Sequence, residues 1–442
     1  MGDFEYSINY QAKEYTELVV KDSIFYPMNS DTITEFGLEL NTTSVVDAHA
    51  YHFRNARSEA SILYPTELIG YDYIINTSTT SHGLLLIVGT ENNTEIEIIP
   101  TNNTINGHPS NTPLNIVLNE GETFQIRSVE DLSGSTIRSV NQKKISVFSG
   151  SKHTNQLCDG QSGANPLYDQ LLPTELLGNE YALIPINKNT DSFFKITALI
   201  DDTRITTSTT DTIFLNSKES YDLSTDSALL IHSNSPILVS HFLCNDGEVG
   251  DPNMINLLPT KFTTNEVNFK KIMGFDIALS SRFTEHRISI IKENSDSTPV
   301  LLNSIDINNQ FNEITENASY SYATIDLEDE FISLESNAKL QAYLYGLGGF
   351  DAYSLSLGFT PNTISSNQII NHKKCEVYPN PALDIINLDC EYNEALIFSI
   401  TGKIVKRIIS SSNINVSGLT SGLYIIVMHN KESAQAIKFI KN

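Results

Sequence analysis

An all-β chain built from repeated sheet units is what the 442 residues predict. Three observations lead there. Nearly every structured stretch is short, rich in Ile, Val, Thr, Tyr and Phe, and alternates with period two, as in TEIEIIP (94–100), SFFKITALI (192–200) and LQAYLYG (340–346). Asn, Asp, Gly and Ser cluster between these stretches, where turns need them. Finally, one phrase returns: LYPTELIGYDY (63–73), LLPTELLGNEY (171–181) and, in part, LLPTKF (257–262).

Aligning those phrases predicts the elements in order. After each comes a strand and then a hairpin with Asn or Asp and Thr at its turn, LLLIVGTENNTEIEI (84–98) and FKITALIDDTRITTS (194–208). Leu-Asn, two residues and a Glu-led strand follow, LNEGETFQI (118–126) and LNSKESYDL (215–223). Each unit closes with strand, turn, strand: IRSVNQKKISVFSG (137–150), IHSNSPILVSHF (231–242) and LESNAKLQAYLYG (334–346). LNTTSVVDAHAYHF (40–53) ends the first stretch in a similar way. The expected units are 1–62, 63–170, 171–256 and 257–358, the first a remnant. About seven strands per unit suit tandem β-sandwiches, or a β-propeller closing into a ring. Helical spacing is scarce, with short turns near 169–177 and 252–258. The phrase itself reads as a seam: Pro173 pre-sets φ, leucines anchor, and Gly178 releases the chain into the next strand. A catalytic signature has no reason to occur three times in one chain.

Composition narrows the function classes. The net charge of −25 excludes a nucleic-acid partner, which needs basic patches. No apolar run approaches the roughly 20 residues of a membrane-spanning helix. From residue 373 onward there are 8 Lys and Arg against 6 Asp and Glu, whereas the rest of the chain is strongly acidic, so a second module is expected there. The stretch FTPNTISSNQIINHKK (359–374) reads as its linker. The opening MGDFEYSINY lacks an apolar signal core.

Two resemblances rest on these residues. ILYPTELIGYDYII (62–75), LLLIVGTENNTEIEI (84–98), DLSGSTIRSVNQKKISVFSG (131–150) and LYDQLLPTELLGNEYALIPI (167–186) together resemble the N-terminal domain of the immunoglobulin Fc-binding protein family. That resemblance implies a secreted β-rich binding or adhesion domain, in mucus-associated animal proteins and bacterial surface proteins. Antibody binding is not carried over, since the name comes from one member's ligand. In that family the loop after VFSG carries paired cysteines, whereas here it holds only Cys158, with Cys244 in the next unit. Each lies 15 residues before its own seam proline, Pro173 or Pro259, so the two could bridge neighbouring units or be buried singly.

VYPNPALDIINL (377–388), IFSITGKIVKR (397–407), VSGLTSGLYIIVM (416–428) and KFIKN (438–442) resemble the type A C-terminal sorting domain of the type IX secretion system. It implies an immunoglobulin-like β-sandwich over 375–442, export to the cell surface or beyond in a Bacteroidetes-type bacterium, the secretion machinery as partner, and a trimmed start. Cys375 and Cys390 flank the proline turn and could pair in an oxidising exterior.

Chemical candidates are few. His49 and His52 are three apart in a strand, on opposite faces, and cannot easily share a metal. His153 with Cys158, and His241 with Cys244, lack the flanking signature of a nucleophile. SGS (149–151) and DGQSG (159–163) are not nucleophile elbows. Asp246, Glu248 and Asp251 form a Gly-containing acidic loop that could hold calcium, and no other cofactor is expected. A ligand-binding loop is expected first over Lys152, His153, Asn155, Gln156, Asp159, Gln161, Asn165 and Tyr168. The function expected is non-enzymatic capture of an extracellular glycan, mucin or protein. The alternatives are a secreted hydrolase or a structural matrix component.

Overall fold

A computed structural model describes residues 15–16, 18, 29–44, 46–53, 57–78, 82–154, 165–186, 192–207, 212–244, 250–273, 283–295, 297–314, 319–349, 351–358, 377–388, 394–399, 404–409, 413–429 and 434–442. The protein is all-β, with two 3-10 turns, Thr174–Leu176 and Asn308–Gln310, among the described elements. It divides into two compact units, 1–363 and 364–442.

The larger unit repeats one pattern three times. After the first seam the strands are Asp72–Ile74, Gly83–Gly89, Thr94–Ile99, Leu114–Leu118, Thr123–Arg127, Thr136–Ser139, Ile145–Thr154 and Asn165–Gln170. Taken in that order as one to eight, they form two antiparallel sheets, 1-6-3-4 and 5-2-7-8. The second repeat uses Gly178–Leu183, Ser192–Ala198, Thr203–Thr207, Thr212–Leu215, Ser220–Thr225, Leu229–Leu243 and Asn253–Asn256, and the third Thr264–Lys270, Phe283–Glu293, Val300–Leu302, Ile305–Asp306, Tyr320–Asp326, Phe331–Gly348 and Ala352–Leu357. In both, one long strand replaces strands six and seven and joins the repeat's strands into a single sheet.

The expected hairpins are corners instead. Gly83–Gly89 and Thr94–Ile99 lie in different sheets, while Ser192–Ala198 and Thr203–Thr207 share one sheet but pair with different parts of Leu229–Leu243 and not with each other. The turn chemistry itself is as expected: Asn93 and Asp202 both take a φ of 56°, and Thr94 and Thr203 cap the carbonyls of Glu91 and Ile200 at 2.6 and 2.7 Å. Such a turn reverses the chain within a sheet or across two, and the local sequence does not distinguish them. The Leu-Asn corners also repeat, with Glu122 accepting from the Asn119 amide and Glu219 from the Asn216 amide, at 2.6 and 2.7 Å.

At the seams, the amide three residues after each proline donates to its carbonyl: Leu68 to Pro65, Leu176 to Pro173 and Phe262 to Pro259, each at 2.9 Å. Gly178 is not among the glycines of positive φ. A Cβ placed there would lie 2.5 Å from Cβ of Pro259, and one at Gly70 would lie 2.6 Å from Cβ of Pro173. Each seam glycine thus receives the proline of the next seam. The third seam has no successor, and Thr264 stands in the glycine's place. The tyrosine three residues later repeats as well. Tyr73 accepts from the Gly70 amide at 2.8 Å and donates to the Ile145 carbonyl at 2.7 Å, while Tyr181 does the same with Gly178 and Ile237 at 3.3 and 2.7 Å.

Cores run across unit boundaries. The second repeat's core takes in Ile291, Tyr343 and Tyr345 of the third, and the third's takes in Ala60 and Tyr51 from the opening segment. This sharing explains why residues 1–363 form one compact body rather than beads on a string. The expected helical turns at 169–177 and 252–258 are the strand ends Asn165–Gln170 and Asn253–Asn256, apart from Thr174–Leu176.

The smaller unit packs the sheet of Val377–Tyr378, Ile385–Leu388 and Asn413–Asn415 with that of Glu394–Ser399, Ile404–Ile409, Gly422–His429 and Ala434–Lys441. It is an immunoglobulin-like β fold. Ile386, Ile397, Ile426 and Phe439 fill its centre, and alternating burial along Tyr424 to Val427 follows the period-two pattern. Both peptide bonds preceding Pro379 and Pro381 are cis.

Candidate functional site: an inner ring and an open edge

The last strand of each repeat faces inward. Asn165–Gln170, Asn253–Asn256 and Ala352–Leu357 are joined by Ser58–Ile62, which lies the same distance before its own seam proline. Ser58–Ile62 packs against the first and last of them, and Asn253–Asn256 does so from the other side, so the four close a ring. Ser58–Ile62 pairs with His49–Phe53, so the remnant of a fourth repeat supplies one strand pair to this closure.

No backbone ladder joins the four inner strands among the described residues; side chains bridge them instead. Glu59 accepts from the Met254 amide at 3.1 Å and from the Ser354 amide at 3.4 Å. Asp169 accepts from the Asn256 amide at 2.7 Å and the Ser61 hydroxyl at 2.8 Å. Asn165 accepts from the Ser58 amide at 2.8 Å and donates to the Ala352 carbonyl at 3.4 Å. Ser354 donates to the Met254 carbonyl at 2.8 Å. Every inner strand is thus tied to at least two others by groups that satisfy buried backbone.

The ring's electrostatics follow from burial. Burial pushes the Glu59 carboxyl well above the usual range, against the pull of the Ala60, Met254 and Ser354 amides. Burial raises Asp169 to about 7, with the Asn256 amide and the Ser61 hydroxyl opposing. Asp351, at the start of its inner strand, is raised to about 7 by burial and by neighbouring Asp251, with the Ser58 hydroxyl opposing. His241 is buried, stacks on Phe194 with ring centres 4.2 Å apart, and is lowered to about 3 by burial. It is neutral at physiological pH.

Beside the ring, Lys195 is buried between Asp131 at 2.7 Å and Asp222 at 3.3 Å. Asp131 belongs to the preceding repeat, so this ion triad clamps two repeats together. Burial opposes the Asp131 charge, yet Lys195, Ser133 and Thr77 hold its carboxyl below the usual value.

The residues expected from sequence fall in several places. Asn165 and Tyr168 belong to an inner strand, not to a loop: Asn165 is fully buried in the ring, and Tyr168 stacks on Phe148 with centres 5.0 Å apart. Lys152 is exposed at the end of its strand, and His153 lies on the same strand. Asn155, Gln156, Asp159, Gln161 and Cys158 lie outside the described residues, as do Asp246, Glu248, Cys375 and Cys390. Asp251 is buried. Cys244 is disulfide-bonded, so it offers no thiolate to His241. His49 is half-buried, and desolvation of its ring lowers it to about 4, whereas His52 is exposed, as opposite strand faces require. Among the described residues no group of three or more His, Cys, Asp or Glu side chains is placed to hold a metal ion.

An open sheet edge in the second repeat leaves no mark in the local residue pattern. Strand five of the first repeat, Thr123–Arg127, is covered by Thr32–Thr34, with Ile33 opposite Phe124. In the third repeat Asn312–Glu313 covers Tyr320–Asp326. Ser220–Thr225 ends its sheet, and no described strand lies beyond it. Phe124 is 4% exposed, while Tyr221, at the matching position, is 40% exposed and nearby Phe214 is 70% exposed. An open cleft of about 460 Å³ lies here, lined by Thr207, Thr212, Ile213, Phe214, Tyr221, Leu223 and Leu229.

Fold, ring and terminal sandwich define a class: an exported, all-β protein with a repeated outer domain and a sorting tail. A model of the secretion system C-terminal sorting domain matches residues 376–442. The chain is therefore exported through the type IX system to the cell surface or beyond it. A model described as IgGFc binding protein matches residues 59–346, most of the chain, and the protein belongs to that family. No curated protein matches it. No helix among the described residues is long and apolar enough to cross a membrane.

Proposed function

We propose that this is a non-enzymatic capture protein of a Bacteroidetes-type cell surface, holding an extracellular glycan, mucin or protein. The observation that carries this reading is what the buried carboxylates do. Glu59 and Asp169, two carboxylates whose burial raises them, both accept from main-chain amides of neighbouring inner strands. A general acid or base must reach a substrate proton. These two hold a scaffold together, which leaves loops and edges for recognition. The reading requires no cofactor. Calcium at the acidic loop around Asp251 remains part of the proposal, to be tested by adding and chelating the ion.

The full chain applied to immobilised glycans, mucin and extracellular matrix proteins, with calcium or a chelator, tests this reading. Saturable binding to one class, without turnover of generic glycosidase and peptidase substrates, is expected. Hydrolysis of such substrates without retention would falsify it.

A further inference from the structure

We propose that Asp351 and Asn253, with Asp251 beside them, form a calcium site that fastens the rim of the inner ring. This deepens the calcium part of the capture reading, on which it rests, and gives the ion ligands from two repeats in place of one loop.

The ring's carboxylates divide by their partners. Glu59 and Asp169 accept from main-chain amides of neighbouring strands. Asp351 is equally buried, yet neither of its carboxylate oxygens has a hydrogen-bond partner. The Ser58 hydroxyl lies beside it but gives its proton to the Ala352 carbonyl at 3.1 Å. A buried carboxylate without donors is among the costliest groups a fold can carry, unless a cation meets it. Protonation offers no escape, because the acid's own hydroxyl would then lack an acceptor. A second group points the same way. The side-chain oxygen of Asn253, a fully buried residue at the start of its own inner strand, also has no partner.

The backbone holds the two segments together. The Gly250 amide donates to the Gly348 carbonyl at 2.6 Å, and the Gly348 amide to the Asp351 carbonyl at 2.8 Å. Asn253 turns its Nδ2 to the Asp251 carbonyl at 3.4 Å, which leaves Oδ1 as its open end. Asp251 is itself buried, and its charge bears on Asp351. The donor set is two carboxylates and an amide oxygen. Hard oxygen donors of this kind select calcium, which takes mono- or bidentate carboxylates, Asn carbonyls and water in a flexible shell. Asp351 precedes Ala352–Leu357 and Asn253 opens Asn253–Asn256, so the ion ties the third repeat's inner strand to the second's. An exported chain meets calcium at its destination, where extracellular modules bind it with dissociation constants of about 10⁻⁴–10⁻³ M.

In the test, the full chain is stripped with a chelator and titrated with calcium chloride alone, by calorimetry and by thermal melting, as wild type, Asp351→Asn and Asn253→Ala. Wild type should bind calcium and melt higher in its presence. Asp351→Asn should lose about tenfold or more in affinity. In chelator it should nonetheless melt at or above the wild-type midpoint, because it removes an uncompensated buried charge. A carboxylate with a merely structural role would lower that midpoint instead. Asn253→Ala should weaken calcium binding by a smaller factor. Absence of calcium binding to wild type overturns the site, as does binding that Asp351→Asn leaves unchanged, since the ion then lies elsewhere. Retention on immobilised glycans, mucin and matrix proteins is scored in parallel. Retention by wild type without calcium binding rejects the site and leaves the capture reading intact. Calcium binding that Asp351→Asn abolishes, with no ligand retained, keeps the site and rejects the capture reading.

Discussion

The inner ring and the open edge invert the usual distribution of polar and apolar groups. The ring is buried and polar, built on Glu59, Asp169, Asn165 and serines. The edge is exposed and apolar, around Phe214 and Tyr221. A buried carboxylate invites a catalytic reading, yet here Glu59 and Asp169 each have amide partners and a structural task. An exposed aromatic cleft invites dismissal, yet sibling repeats cover the same position. Satisfaction of hydrogen bonds, rather than residue type, separates scaffold from candidate surface.

The contrast can be broken most forcefully at Glu59. Glu59→Ala leaves the Met254 and Ser354 amides buried without an acceptor, and we expect a loss of about 3–5 kcal/mol by chemical denaturation. Next come the seams. Gly178→Ala drives a methyl into the ring of Pro259 and should cost about 2–4 kcal/mol, whereas Thr264→Gly, where no later proline packs, should cost about 1 kcal/mol or less. Equal effects at the two sites would show that the glycine serves the local turn and not the next repeat.

Acidity sharpens the comparison further. Asp169 and Asp351 are raised to about 7 in the folded protein, while ordinary aspartates in an unfolded chain titrate near 4. Groups raised in the folded state contribute fully below the unfolded value, and that contribution is lost as pH rises through the folded one. The full chain should therefore melt at higher temperature at pH 5.5 than at pH 8, a difference of about 1–3 kcal/mol that Asp169→Asn reduces. Asp131 has the opposite sign. Held low by Lys195, it contributes above the usual aspartate value, and its share is lost as pH falls through its lowered folded value. Stability should thus peak in mild acid. The smallest stability effect belongs to the edge: Phe214→Lys should alter the melting free energy by no more than about 0.5 kcal/mol.

Much of this fold was legible in the sequence because it is written locally. Period two, Asn93 and Asp202 at corners, and Pro-Thr at seams are short-range signals, and the terminal sandwich is marked by its proline turn and SGLYIIVM. The ring was not legible, since Glu59 meets Met254 and Ser354 across 195 and 295 positions through single hydrogen bonds. Periodicity carries no trace of such contacts. The same limit turned corners into apparent hairpins, and placed Asn165 in a loop when it sits at the start of an inner strand. The open edge was hidden for a different reason. Ser220–Thr225 reads like its siblings, and only the absence of a described covering strand sets it apart.

The account stands on closure of the ring through Glu59, and amide hydrogen exchange on Glu59→Ala tests that most directly. Exchange should accelerate in peptides spanning 253–256 and 352–357, far from the substitution in sequence, while the 377–442 sandwich keeps its wild-type rates. Unchanged protection at Met254 and Ser354 would contradict it.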